Sequence, residues 1–327
     1  MNVRLLGSAA VAALGVALVA GPAAGQDRTS RARQVLRAEV SHQESRVLRL
    51  GQEGTLTLTN LTGDIRIRPG AGREVRVDIT RVARGRTEAD ARRGLARVTV
   101  TVEERANRAS VETVRPAERN PPYRVTVAYD VIAPPGTSIS AHSLTGNIGV
   151  TGIAGELSAV STTGDIDIRD AQRLTRARTA TGRIHLANVG NDGTLEAGTI
   201  AGSVLVEALR ARRLLVGTVT GAVTARDAAA DRAEVTSTAG AIEYAGPVAL
   251  DGRYELRSHT GHVRFVVADG SGFELRASTF AGAIAPGAGL GLSVIRRDPH
   301  ELVGTVGDGR AIVTLATFSG GIVIVRR

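Results

Sequence analysis

A corner motif that returns about every 19 residues constrains this chain more than any other feature. Ser143-Leu144-Thr145-Gly146-Asn147-Ile148 is followed by Ser161-Thr162-Thr163-Gly164-Asp165-Ile166, and the frame recurs at Gly182, Gly202, Gly221, Gly240, Gly261, Gly282 and Gly320. Successive glycines stand 18, 18, 20, 19, 19, 21, 21 and then 38 residues apart. The last interval is twice 19, which predicts one copy that has lost its motif. Apolar or small residues sit four and two places before the Ser/Thr, as in Leu157 and Ala159 or Leu214 and Val216, and again after the glycine, as in Ile166 and Ile168. Strict alternation on both sides of the glycine predicts two short strands per unit, each with one buried face. The parity of the apolar positions shifts across the glycine, so these nine glycines are expected to be structural corners where the backbone bends. A unit of this size cannot bury a core alone and must stack on its neighbours at the ~4.8 Å strand spacing. The hydroxyls three places before each glycine would then form a ladder. The predicted fold is all-β: a β-solenoid over residues 137–327, built of coils of about 19 residues with two short strands per coil.

Residues 47–136 are less regular. Alternation predicts strands at Thr55–Asn60, Asp64–Arg68, Glu74–Val82, Val98–Glu103 and Tyr123–Ile132, with one short helix opened by Thr87 as its cap. Leu61-Thr62-Gly63-Asp64-Ile65 is an early copy of the corner, and Pro134-Pro135-Gly136 marks the entry to the regular coils.

The first residues point to export. One positive charge at Arg4, an apolar run from Leu5 to Ala20, and small Ala23 and Gly25 before Gln26 form the pattern of a secretory signal peptide over residues 1–25. Residues 26–46 read as a flexible, polar leader. The chain has no cysteine, which excludes a lipoprotein anchor, disulfides and thiolate metal sites. The expected location is therefore the periplasm or cell surface. Its 41 basic residues, all arginine, outnumber 32 acidic ones, for a formal charge of +9. Outward arginines such as Arg176, Arg178 and Arg183 are the candidate contacts for an anionic envelope polymer or lipid head groups. Nucleic acid is a poor partner for an exported chain with four Phe, four Tyr and no Trp.

The Thr/Ser-x-x-Gly-Asp-Ile corners, the Val125-x-Val127-x-Tyr129-x-Val131 strand leading to Pro134-Pro135-Gly136, and the closing Thr317-Phe318-Ser319-Gly320-Gly321-Ile322 together resemble bacterial β-strand-repeat envelope proteins of the putative-adhesin family, a domain of unknown function. The resemblance covers about Val47 to Arg327. It implies a solenoid-like fold and an envelope location, and it brings no catalytic residues with it. The Asp that often follows the corner glycine in that family stands here only at Asp64 and Asp165.

No pattern of catalysis or cofactor binding emerges. His300-Glu301 lacks the second His of a zinc-protease helix, and His259 and His262 flank a corner with no third ligand in the pattern. Gly287-Ala288-Gly289-Leu290-Gly291 is followed by no helix and carries no phosphate-binding Lys. The reading is an exported, non-enzymatic structural or adhesive module of the envelope. A polysaccharide-active solenoid enzyme is the alternative, and would show carboxylates clustered on one face. A weaker one is an ice-binding solenoid, against which Ala201, Ala239 and Ala281 break the second hydroxyl column.

Overall fold

The fold is that of a computed structural model describing residues 38–327. The expected signal peptide and the start of the expected leader lie outside the described residues. β1 (Ala38–Leu48) is followed by β2 (Thr55–Thr62) and β3 (Ile65–Pro69), the first corner coil of the chain. Residues 38–46, expected to be leader, belong instead to β1, held antiparallel along β4 (Val75–Gly85). β1 is largely exposed, so it carries no apolar alternation to read. The helix α1 (Glu88–Arg97) starts at Thr87, whose Oγ1 accepts from Asp90 N at 3.1 Å while the Asp90 carboxylate accepts from Thr87 N. It buries Ala91 and Gly94. A Cβ at Gly94 would meet the Tyr123 ring at 2.8 Å, so only glycine lets the helix lie this close. β5 (Thr99–Arg105), β6 (Arg108–Val114) and β7 (Tyr123–Ala133) complete the N-terminal part.

The regular coils follow. β8 (Ser138–Thr145) and β9 (Ile148–Thr151) form one, β10 (Glu156–Thr163) and β11 (Ile166–Ala171) the next. β12 (Arg173–Thr181) leads through Gly182 into the long β13 (Ile184–Ala201), β14 (Val204–Thr220) and β15 (Val223–Ala239), each of which runs from one corner glycine to the next. The corner glycine joins the side before it (here the long side) to the side after it, and that second side ends in a bend at a residue with positive φ: Asp170, Asn188, Ala208 and Asp227 in successive coils, at 49–54°. A short third side such as Leu209–Ala211 then leads into the next coil. Parallel pairing keeps like positions in register, so Leu195, Leu214 and Ala233 form one buried row and Ala197, Val216 and Val235 another. At the corner, Gly164, Gly182, Gly202 and Gly221 have φ between 142° and 151°. A Cβ on any of them would lie 2.0–2.1 Å from the carbonyl oxygen of the corner glycine one coil below. No side chain fits there.

The hydroxyl ladder bonds to backbone. Ser161, Thr179, Thr199, Thr218, Ser237, Ser258, Thr279 and Thr317 are buried, and each donates to the carbonyl of a neighbouring corner glycine at 2.9–3.2 Å. The ladder ends at Asn60, whose amide donates to Gly63 O and Val127 O. Gly63 O is thereby occupied, and the Ser143 hydroxyl, next in the column, is buried without a partner.

Both ends of the stack are built out of sequence order. Beyond β2 and β3 lie β6 and β7, parallel to them, so the first corner coil in sequence is the second in space. β5 covers β6 antiparallel, β4 covers β7, and β1 covers β4. The other end repeats the device. β16 (Ile242–Gly246), β17 (Val248–Thr260) and β18 (Val263–Val267) continue the stack, but the next coil is β23 (Ala311–Ser319) and β24 (Ile322–Arg326). β19 (Phe273–Ala281) and β20 (Ile284–Pro286) lie outside them. The 38-residue interval therefore holds no degenerate coil: β21 (Leu292–Asp298) and β22 (Glu301–Val306) form an antiparallel hairpin that covers β19. The expected break at Thr137 is likewise one of sequence order, since β2 and β3 share lanes with β8 and β9. Towards the C-terminal end Tyr244, Tyr254, Phe265 and Phe273 fill the interior, with ring centroids 5.7–6.2 Å apart along the cluster.

Candidate functional site

Along each long side, alternate residues face out. In the coil that ends at Gly221, Leu214, Val216 and Thr218 point inward, while Arg213, Leu215, Gly217 and Val219 point outward. In-register stacking turns these into columns parallel to the coil axis. Gly198 and Gly217 are partners in one column, and the missing side chains leave a depression of about 740 Å³ bordered by Arg176, Arg178, Glu196 and Val219. A second hollow of about 610 Å³ shares Thr218, Thr236 and Thr238 with it and reaches Phe280 and Phe318. The two make one groove running across the coils.

The wall of that groove nearest the corner is formed by the residue between ladder hydroxyl and glycine-preceding position. It runs Ala180, Ile200, Val219, Thr238, His259, Phe318 and Phe280 in spatial order. Phe280 is 69% exposed and Phe318 48%, although the other described Phe and Tyr rings are buried. Phe318 stacks on Phe280 at 4.7 Å and on His259 at 4.9 Å. The sequence reading missed this aromatic stack. The signal was an aromatic at the same motif position in Thr279-Phe280-Ala281-Gly282 and Thr317-Phe318-Ser319-Gly320, but His259 meets Phe318 only because the last coil is inserted out of order.

The singled-out arginines occupy two places. Arg176 and Arg178 share the groove and both bind Glu196 at 3.1 Å. Arg183 lies beyond the corner, where its guanidinium meets Asp165 at 3.2 Å and its backbone N–H donates to the same carboxylate at 2.7 Å. The structure thus compensates their charge with carboxylates of adjacent coils. Asp64 and Asn147 make the same contact, each accepting from the backbone N–H one coil on. The acceptor after the corner glycine is therefore a ladder cap. His259 and His262 do not converge: His259 stacks in the groove wall, while His262 Nδ1 accepts from Gly321 N. On the second side, His185 lies between Asp167 at 3.4 Å and Glu207 at 3.1 Å. Burial alone would raise the Asp167 carboxyl, but hydrogen bonds from Arg169 and His185 outweigh it and hold it below the usual carboxylate range.

The family model described as Toastrack DUF4097 matches residues 54–324. The chain belongs to the Toastrack family. Two solved structures are similar over 88% of this chain: a putative cell adhesion protein from Clostridium sporogenes ATCC 15579, at 10% identity, covered in full with a TM-score of 0.25, and a putative adhesin from Bacteroides fragilis NCTC 9343, at 11% identity, 97% covered with a TM-score of 0.40. No curated protein matches the chain. The family assignment and the β-solenoid rest on the family match and the strand pairing.

Chemically, the groove of this Toastrack chain offers hydroxyls, amide-free apolar patches, an aromatic stack and charges tied into pairs. Of the two carboxylates that line it, Glu196 is held by Arg176 and Arg178, while Glu234 makes no ion pair among the described residues. Among the described residues no cluster of three or more His, Asp or Glu is arranged to hold a metal ion. No described helix is long and apolar enough to cross a membrane.

Proposed function

We propose that this chain is an exported, non-enzymatic Toastrack protein of the cell envelope that binds an extended envelope polymer along the outward face of its long sides. The observation that carries this reading is the groove across successive coils with an exposed aromatic stack at one end. Exposed rings offer apolar faces and edges to a sugar or peptide chain, and neighbouring hydroxyls and paired charges supply hydrogen bonds in fixed positions. Export is supported by the N-terminal signal pattern with its cut before Gln26. A polysaccharide-cleaving role is less well supported, because it needs two carboxylates free to act on one bond, and of the two that line the groove Glu196 is held by Arg176 and Arg178. An ice-binding role is disfavoured by the alanines that break the exposed threonine column.

Cosedimentation of the mature chain with envelope fragments tests the reading. Wild type should pellet with them, and the pair Phe280→Ser and Phe318→Ser, which are exposed and build no core, should pellet less while melting at nearly the same temperature. Equal pelleting of wild type and variant would refute the groove as the binding face. N-terminal sequencing of exported material tests the compartment, with Gln26 as the expected first residue.

A further inference from the structure

We propose that a column of three stacked arginines, Arg213, Arg232 and Arg253, with Arg212 beside it, binds a linear polyanion laid along the coil axis. This rests on the binding role just proposed and assigns its charged subsite to residues other than Arg176, Arg178 and Arg183. The three are register partners on successive coils, at the margin of the long side opposite the aromatic wall. Thr194 and Ile312 bound the column below and above. Like charges directly opposite on neighbouring strands repel, at a strand spacing of ~4.8 Å. Elsewhere on this surface such charges come with acids one coil away: Asp165 with Arg183, Glu196 with Arg176 and Arg178, Glu207 with Arg226. The three column arginines and Arg212 make no ion pair among the described residues, and all four are exposed.

They line two adjoining clefts of about 400 and 710 Å³. Four acids lie there too. Asp251 is taken by Arg310, whose Nη2 donates to both carboxylate oxygens at 3.0 Å and whose Nε donates to Oδ1 at 3.2 Å, and Glu255 by Arg257. Asp231 and Glu234 remain, so four guanidiniums face two carboxylates. A row of cations at the strand repeat, with half its counter-charge missing, matches a polymer that carries one anionic group per repeat unit better than it matches a single small anion. Arginine forks suit carboxylate or phosphate oxygens equally.

The test uses the mature chain with polyglutamate, free glutamate, a neutral dextran, and vesicles containing phosphatidylglycerol. Polyglutamate should bind, more weakly as salt rises from 50 to 500 mM, roughly a threefold cut in screening length, and free glutamate should bind at least about tenfold more weakly because it lacks linked charges. Replacing Arg213, Arg232 and Arg253 together by Gln should weaken polyglutamate binding about tenfold or more. The same change at Arg176, Arg178 and Arg183 should cost less than about twofold, because those charges are already compensated. If the triple variant folds poorly, Arg232→Gln alone, at the centre of the column, should weaken binding while raising the melting temperature of the free protein. Equal losses from both triple variants would overturn the proposal in favour of net charge alone. Binding to the vesicles but not to polyglutamate would overturn it in favour of lipid head groups. A wild type that pellets with envelope fragments yet ignores polyglutamate defeats this inference and leaves the polymer-binding role standing; one that binds neither defeats both.

Discussion

The middle coils and the two ends of this protein solve the same problem differently. From β10 to β15 each coil lies on the one before it in sequence, and every buried row, corner glycine and ladder hydroxyl is repeated in register. At the ends the chain reverses this order: β6 and β7 lie outside β2 and β3, and β19 and β20 lie outside β23 and β24. A parallel stack exposes a bare edge at each end, which invites pairing with other chains. Here each end is closed by antiparallel strands, aided at one end by α1, and the coil beneath is clamped between earlier and later parts of the chain. Repetition makes the middle; non-local insertion makes the ends.

Substitutions at glycine should separate the two regions most strongly. Gly221→Val in the middle places a Cβ 2.0 Å from Gly202 O in a disfavoured backbone conformation, and should cost about 3 kcal/mol or more. Gly289→Ala, in the loop before the C-terminal hairpin, also has a positive φ, 86° against 142° at Gly221, but open space around it, and should cost about 1 kcal/mol. Urea melts of both measure the difference, and equal losses would show that crowding at the corner is not what fixes the coils.

Alkaline titration probes the coils towards the ends. Burial pushes the Tyr129 hydroxyl up to about 12, with its hydrogen bond to the Thr113 hydroxyl opposing, and burial pushes Tyr244 and Tyr254 above the ordinary phenol range. Above pH ~10 the unfolded chain sheds phenolic protons that the folded chain keeps, so stability should be unaffected by these groups below ~10 and fall from there towards 12. Tyr129 alone should contribute on the order of 2 kcal/mol to that fall. Tyr129→Phe should flatten the curve; an unchanged curve would contradict the burial of this ring.

Within the ladder itself, Ser161→Ala removes a hydrogen bond to Gly146 O and should cost about 1 kcal/mol. Ser143→Ala, one coil nearer the N-terminal end, removes a hydroxyl that is buried without a partner and should cost nothing or stabilise slightly. The smallest change is Ala208→Asn. Its three column-mates at the second bend are Asp170, Asn188 and Asp227, residue types that tolerate this conformation better, so a gain of about 0.5 kcal/mol is expected.

Much of the middle was legible because its physics is local. The 18- to 21-residue spacing of glycines, the alternation of Leu157 and Ala159, and Thr87 with Asp90 each state their structure within a few residues. β6 went unread because Ala109, Val111 and Thr113 are buried on a coil that exists only once β2 is beside them. β1 went unread because it is an exposed edge held by backbone pairing. Of the groove only its outward residues were legible: Arg176 and Arg178 read as outward, but their shared Glu196 is 20 residues from Arg176, and the Phe280–Phe318–His259 stack depends on chain order in space. Sequence periodicity names neighbours in the repeat, not neighbours across an insertion.

The out-of-order insertion of the last coil is the claim most open to direct trial, because the chain has no cysteine to confuse the result. Ser319 is the register partner of both Thr260 and Ala281, and all three are exposed. Oxidising the double variant Thr260→Cys/Ser319→Cys should form a disulfide, as should Ala281→Cys/Ser319→Cys, since neighbouring strands bring Cα atoms to ~5 Å. Thr260→Cys/Ala281→Cys should not, because two strand spacings put them ~10 Å apart, beyond the reach of a disulfide. A cross-link between positions 260 and 281 in the folded protein, with none to 319, would mean the coils stack in sequence order and would contradict the account.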